Sequence, residues 1–211
     1  MVTDSPESNS QISFFYELMR KLTHMGGLVI PGIYYIFQLE KGEMLSGMIP
    51  ITILVILADI SRLRNWWFWR QTIVRNIFEP MVRPHEQKGD FTGASYILMS
   101  FCLTIALYSK PIALTAIVFI IIGDTFAALI GRKIKSPRFY KNKTIAGSLG
   151  CLGGMVSVAI FAPDMTLQVA LGGALIGTIF EAFSFGIDDN VTVPILSGLG
   201  MTLLEKIVNF L

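Results

Sequence analysis

Charged residues are scarce in this chain. Only 15% of its 211 residues are Asp, Glu, Lys or Arg, whereas 53% are hydrophobic, and the mean hydropathy is +0.60. A chain this apolar is not an ordinary soluble domain, and its composition is typical of a polytopic membrane protein. The net charge is only +2, so the positions of the charges carry more information than their sum.

Cysteine pairs, a leader pattern and a nucleotide-binding consensus are also lacking. Cys102 and Cys151 both fall in apolar runs, which argues against a disulfide framework. The N-terminus is polar and acidic rather than basic and then apolar, so we expect no signal peptide and a disordered tail over residues 1–16. The G-x-x-x-x-G-K-[ST] order is absent, which excludes a Walker A loop.

Apolar runs, by contrast, fill most of the remaining chain. They predict an all-α fold, a polytopic membrane helix bundle of about seven transmembrane helices in a single domain over residues 17–211. The segment near residues 64–82 carries three tryptophans among arginines and predicts an interfacial helix, either a simple anchor or a lipid entry site. The predicted spans are 25–39, 44–60, 94–108, 112–130, 145–161, 167–183 and 191–211.

The basic residues predict the orientation of the bundle. Twelve of the 17 Lys and Arg residues lie in the two loops between spans two and three and between spans four and five. By the positive-inside rule both loops are cytoplasmic, and with seven spans the N-terminus is cytoplasmic too. The twelve are Arg62, Arg64, Arg70, Arg75, Arg83 and Lys88, and then Arg132, Lys133, Lys135, Arg138, Lys141 and Lys143.

An aspartate inside the fourth apolar run is the strongest functional signal. Asp124 follows an unbroken apolar run from Pro111 to Ile122. A carboxylate in hydrocarbon is costly, and therefore Asp124 is predicted to act as a Mg²⁺ ligand or as a base for a hydroxyl. The small residues Gly123, Ala127 and Gly131 recur every four positions, which predicts close helix packing.

Other polar residues converge on the same predicted cytoplasmic end. Asp59 and Glu181 lie at the ends of spans two and six, and Asp188 and Asp189 precede span seven. Adjacent carboxylates repel each other unless a cation pairs with them. We therefore predict Asp124, Glu181, Asp188 and Asp189 as metal ligands, with a capped surface turn as the alternative at 188–190.

Basic residues near small-residue turns predict a phosphate site. Lys143 precedes a turn formed by Thr144, Gly147 and Ser148, where helix N–H groups and a lysine favour an anion. In Glu17-x-x-Arg20-Lys21-x-x-His24 the polar residues share one helical face. Arg20 and Lys21 are predicted to contact a phosphate or an acidic partner, and a simple positive-inside flank is the alternative.

Four blocks follow one another along the chain: Glu17 to His24, Gly123-Asp124 to Gly131-Arg132, Lys143-Thr144-x-Ala146-Gly147-Ser148, and Asp188-Asp189-Asn190-Val191-Thr192-Val193-Pro194. In this order they resemble the CTP-dependent lipid kinases, namely dolichol kinase, phytol kinase and the CTP-dependent diacylglycerol kinase. Asp59-x-x-Arg62 and Thr92-Gly93-Ala94-Ser95-Tyr96 also fit. Departures are Lys135-Ser136, where a glycine is expected, and Thr144 in place of serine.

The resemblance implies transfer of the γ-phosphate of CTP, with Mg²⁺, to a membrane-embedded lipid alcohol. The implied catalytic residues are Asp124 and Asp189. The expected partners are CTP, the lipid alcohol and the bilayer, and no nucleic acid is expected. The sequence does not decide whether the protein forms a homodimer. The implied nucleotide-binding residues are Arg20, Lys21, Arg132, Lys143, Thr144, Gly147, Ser148 and Asn190.

Two other functions compete with the kinase. A cytidylyltransferase resembling CDP-diacylglycerol synthase also uses CTP. Such an enzyme is expected to end in a His-Gly-Gly…Asp-Arg-x-Asp type of motif, whereas this chain has Asp188-Asp189-Asn190. A small transporter could use Asp59 and Asp124 as ion relays, although such proteins typically carry inverted repeats and midplane sites. No internal repeat is evident in this sequence.

Overall fold

The computed structural model describes residues 22–67, 69, 82, 86, 89–141, 143–183 and 187–210. The predicted tail, Arg20, Lys21 and most of the predicted interfacial helix lie outside these residues. The described part is helical apart from one short hairpin. Its elements are α1 (Val29–Ile36), α2 (Lys41–Leu63), α3 (Gly93–Leu107), α4 (Lys110–Lys133), β1 (Arg138–Tyr140), β2 (Lys143–Thr144), α5 (Ile145–Ile160), α6 (Leu167–Ala182) and α7 (Asp189–Phe210).

The helices begin where the sequence supplies N-terminal signals. Glu40 and Glu43 form a capping box at the start of α2. Pro111 lies in the first turn of α4, where its missing N–H costs nothing. The side chain of Thr144 accepts a hydrogen bond from the Gly147 N–H and caps α5.

The predicted all-α membrane architecture is confirmed at a coarse level. Among the described residues, α2, α4 and α7 are long and apolar enough to cross a bilayer, and α3, α5 and α6 are shorter apolar helices. Large apolar side chains cover the outer surface of the bundle, for example Leu54, Leu129 and Leu203, which suits a lipid environment. Seven crossings and a cytoplasmic N-terminus stay predictions.

The first predicted span differs from the structure. A turn at Gly27 and Leu28 interrupts the helix, and α1 itself has only eight residues. The N–H groups of Gly27 and Leu28 bond to carbonyls three residues earlier, at His24 and Met25. Adjacent glycines followed by Pro31 favour such a break, because both residue types weaken helix continuation.

Helix α4 lies at the centre of the bundle. It is apolar on all sides, as expected for an enclosed helix, and Ile117, Phe119, Ile120 and Ile121 are fully buried. Helices α3, α5, α6 and α7 all pack against it. Asp124 therefore belongs to a helix that its neighbours enclose along most of its length.

The predicted close packing of small residues is confirmed at the contact of α4 with α5. A Cβ at Gly123 would lie 2.6 Å from Met155 Cε, and one at Gly131 would lie 3.2 Å from Gly147 Cα. Larger side chains would push the helices apart at these positions. This contact holds the start of α5 beside the end of α4.

Candidate active site

Three acidic side chains, those of Glu86, Asp124 and Asp189, line a cleft of about 330 Å³ at one end of the bundle. Its walls come from the turn before α1, the starts of α3 and α7, and the Asp124 turn of α4. Apolar residues complete the walls, so a ligand there meets both charge and hydrocarbon. The polar residues are Thr23, His24, Glu86, Thr92, Asp124, Asp189 and Asn190, and the large apolar ones are Ile30, Val82, Ile97 and Leu98.

Asp124 faces this cleft from the central helix. Its Oδ2 lies 3.6 Å from His24 Nε2, and its side chain is 23% exposed. The neighbouring Thr125 donates to Ile121 O at 2.7 Å within α4 and contacts Met25 Sδ at 3.3 Å. The chain before α1 is thus held against α4, and Asp124 stays accessible to a ligand.

Lys143 lies between two carboxylates. Its Nζ is 2.5 Å from Glu181 Oε1 and 3.0 Å from Asp189 Oδ2. Burial alone would lower the pKa of the Lys143 ammonium, but the charges of Asp189 and Glu181 outweigh burial and raise this pKa above its usual value. Lys143 therefore keeps its positive charge beside the cleft.

The four predicted metal ligands do not form one cluster. Among the described residues, no group of three or more His, Cys, Asp or Glu side chains could hold a metal ion. Asp124 and Asp189 both line the cleft, whereas Glu181 and Asp188 do not. A pair of carboxylates still suits Mg²⁺, which is usually held by one or two carboxylates together with substrate phosphates.

Glu181 and Asp188 have other partners. The Glu181 side chain is only 2% exposed, and its Oε2 has no hydrogen-bond partner among the described residues. Asp188 Oδ1 accepts from the backbone N–H and the Nδ2 of Asn190 at 2.9 and 2.7 Å. Asn190 O in turn accepts from Ser100 Oγ at 2.7 Å, so Asp188 and Ser100 fix Asn190 in the cleft wall.

The start of α5 is less open to an anion than the sequence predicts. The N–H groups of Ile145, Ala146 and Gly147 donate to Pro137 O, Ser136 Oγ and Thr144 Oγ1. Three of the N-terminal donors are therefore already engaged. Lys143, which precedes this helix start, places a positive charge next to Asp189 in the cleft wall.

Other residues of the predicted nucleotide site stand apart from the cleft. Gly147 packs closely against α4, and a Cβ at this position would lie 3.2 Å from Ala127 O. Ser148 Oγ is buried and has no hydrogen-bond partner among the described residues. Arg132 is exposed in the last turn of α4, about two turns beyond Asp124.

Asp59 does not belong to the cleft, although it lies close to one wall. Its Oδ2 accepts from the Thr92 N–H, Thr92 Oγ1 and Ser95 Oγ at 2.7, 2.8 and 2.7 Å. Its Oδ1 accepts from Arg62 Nε at 2.8 Å. The remaining nitrogens of Arg62 donate to Glu86 O and Asp90 O at 2.9 and 2.7 Å. We call this group the Asp59 staple, and it joins α2 to α3.

Two residues of the cleft, His24 and Glu86, make contacts in the structure that the sequence alone did not predict. His24 has the position of a boundary anchor in the sequence, but it contacts Asp124. Glu86 is an acid in a polar loop, but it is buried and its Oε1 accepts from the Gly93 N–H at 3.1 Å. In the sequence, helical spacing from Arg20 and the resemblance of the Glu17 to His24 block pointed to His24. No sequence signal pointed to the burial of Glu86.

The chain is similar to named lipid kinases over about nine-tenths of its length. It is 26% identical to the CTP-dependent diacylglycerol kinase 1 of Saccharomyces cerevisiae, over 90% of this chain and 74% of that protein. The Schizosaccharomyces pombe protein of the same name is 25% identical, over 92% of this chain and 96% of that protein. A chloroplastic farnesol kinase of Arabidopsis thaliana is 26% identical, over 90% of this chain and 66% of that protein.

These relatives confirm the resemblance to CTP-dependent lipid kinases and support the prediction of a phosphotransferase. No family model matches the chain, and no solved structure matches it. Diacylglycerol and farnesol differ greatly in shape, so the names of the relatives agree on a lipid alcohol but not on which one.

Proposed function

We propose that this protein transfers the γ-phosphate of CTP to the hydroxyl of a lipid alcohol. The observation that carries the proposal is that Asp124 and Asp189 line one cleft together with apolar side chains, and that the Lys143 ammonium lies beside Asp189. Phosphoryl transfer depends mainly on positioning and charge neutralisation, which this arrangement supplies. The names of the relatives support both the donor and the class of acceptor.

Asp124 and Asp189, two of the three carboxylates that line the cleft, suit a magnesium ion. Both are partly accessible, at 23% exposed for Asp124 and 21% for Asp189. Bound there, Mg²⁺ would neutralise charge on the β- and γ-phosphate oxygens. We assign Asp124 and Asp189 to the metal, and we assign Glu181 to holding Lys143 rather than to the metal.

The chain's own residues then divide the remaining work. Lys143, held by Glu181 and Asp189, binds phosphate oxygens at the mouth of the cleft. The lipid hydroxyl oxygen attacks the γ-phosphorus, the bond to the bridging oxygen breaks, and CDP leaves with that electron pair. The hydroxyl proton passes to Asp124 or Asp189. Asn190, fixed by Asp188, lines the same cleft.

We propose that the cleft opens at the cytoplasmic face of a seven-span bundle. The basic loops at the α4–α5 connection and after α2 support this orientation. The lipid alcohol then enters sideways from the bilayer, past Ile30, Ile97 and Leu98. A water-soluble nucleotide reaches the same cleft from the other side.

The test is purified protein in nanodiscs with Mg²⁺, γ-labelled CTP or ATP, and a panel of diacylglycerol, farnesol, phytol and dolichol. The expected products are a labelled lipid phosphate and CDP. Pyrophosphate together with a CDP-linked lipid would instead identify a cytidylyltransferase. An absence of label in every lipid, with protein that stays folded, would overturn the proposal.

A matched pair of variants assigns the activity to the cleft. Asp124→Asn removes one cleft carboxylate, whereas Asp164→Asn makes the same change at an exposed loop residue between α5 and α6. We expect loss of transfer only in Asp124→Asn. Equal activity of the two variants would exclude Asp124 from the chemistry.

A further inference from the structure

An aromatic cluster lies where the β1–β2 hairpin meets the end of α6, and its residues do not line the cleft. It consists of Phe139 and Tyr140 in β1 and Phe183 at the end of α6. The Phe183 ring centroid is 5.7 Å from that of Phe139 and 5.9 Å from that of Tyr140. Phe139 and Phe183 are each 42% exposed, so the cluster keeps free ring surface.

Lys143 connects this cluster to the cleft. Tyr140 and Lys143 are register partners in the β1–β2 hairpin. The Lys143 side chain reaches Glu181, two residues before Phe183, and also Asp189 in the cleft wall. Lys143 therefore contacts one cleft carboxylate, Asp189, and its strand pairs with the strand that carries Phe139 and Tyr140.

We propose that the aromatic cluster stacks against the nucleobase of the bound nucleotide. The inference rests on the proposed function, which brings the γ-phosphate to the cleft and the other phosphates to Lys143. The base then extends away from the cleft, towards the hairpin. Exposed rings beside a phosphate-binding cation are the combination by which proteins hold bases without reading their edges.

Stacking of this kind supplies affinity but does not select cytosine. Every base has a π-face, so an aromatic surface accepts each of them. Lys141 Nζ lies 5.3 Å from the Tyr140 ring centroid and adds positive charge near the same surface. The competing role for the cluster is a membrane-interface anchor, because aromatic residues also concentrate there.

The experiment measures binding of labelled CTP to the protein in nanodiscs with Mg²⁺, in competition with CTP or with inorganic tripolyphosphate, which has no base. The variants are Phe183→Leu and Phe139→Leu. The control is Phe210→Leu, the same change at an exposed residue at the far end of α7. Thermal melting verifies that each variant is folded.

We expect each cluster variant to bind CTP about 10-fold more weakly, with unchanged competition by tripolyphosphate and unchanged binding in the control. Equal weakening towards CTP and tripolyphosphate would mean that the rings only shape the hairpin, and this overturns the inference. Unchanged CTP binding with altered dependence on lipid composition would identify an anchor, which overturns it as well. Wild-type protein that binds no CTP would overturn the proposed function itself.

Discussion

Asp59 and Asp124 are both aspartates in apolar helices near the same cleft, but their surroundings differ. The Asp59 carboxylate accepts four hydrogen bonds from three residues and is almost fully buried. Asp124 is partly exposed, and its Oδ2 lies 3.6 Å from His24 Nε2. A carboxylate surrounded by donors stabilises the fold, whereas an accessible one can take a ligand.

The largest expected effect is on stability and belongs to the Asp59 staple. Asp59→Ala leaves Arg62, Thr92 and Ser95 without their common acceptor in a buried region. Removing one partner of a buried ion pair costs about 3–5 kcal/mol. Denaturant unfolding in mixed micelles should show this loss in the free energy of unfolding. An unchanged unfolding midpoint would mean that the staple is not structural.

The next effect is on activity and belongs to the cleft. Asp124→Asn should lower kcat/KM by about 100-fold or more, because a charged group at the reacting centre is lost. Its free energy of unfolding should stay near that of the wild-type protein, since the Asp124 side chain is partly exposed and asparagine has nearly the same size. Steady-state kinetics and unfolding are measured on the same preparations. If Asp124→Asn unfolds like Asp59→Ala, the contrast between the two aspartates fails.

A smaller effect separates the two roles considered for Glu181. In Glu181→Gln, Lys143 loses one of its two charged partners, and the affinity for CTP should fall about 10-fold. The Mg²⁺ concentration that gives half-maximal activity should not change. Glu205→Gln, in the last turns of α7, is the matched control. A raised Mg²⁺ requirement in Glu181→Gln would restore the metal role that the sequence predicted.

The smallest expected effect concerns Thr144, which caps the start of α5. Thr144→Val removes the N-cap of α5 and should lower the free energy of unfolding by about 1 kcal/mol. CTP affinity should stay unchanged, because the hydroxyl already bonds to Gly147. Thr144→Ser keeps the cap and serves as the control. Weaker CTP binding by Thr144→Val at unchanged stability would support direct contact with the nucleotide.

The staple and the cleft also show which parts of the site could be predicted. Asp124 was identifiable because an aspartate in an apolar run is costly and easy to recognise. Asp59 has the same appearance in sequence, but its donors Thr92 and Ser95 are 33 and 36 residues away. Likewise, Lys143 contacts Glu181 and Asp189 at separations of 38 and 46 residues. No local pattern encodes such pairings.

The hairpin before α5 illustrates the same limit. The sequence indicated a basic loop followed by an anion-binding helix start. Pro137 O, just before β1, and the Ser136 hydroxyl instead accept hydrogen bonds from the Ile145 and Ala146 N–H groups at the start of α5. Backbone donors are available to a ligand only when no nearby acceptor reaches them.

The sequence by itself determined the all-helical membrane class, the resemblance to lipid kinases and the end of the bundle where charge collects. These follow from composition, apolar periodicity and the order of motifs along the chain. Only the tertiary structure decided which carboxylates line the cleft and which are engaged elsewhere. The physical reason is that the free energy of a buried charge depends on the donors around it, and distant segments of the chain supply those donors.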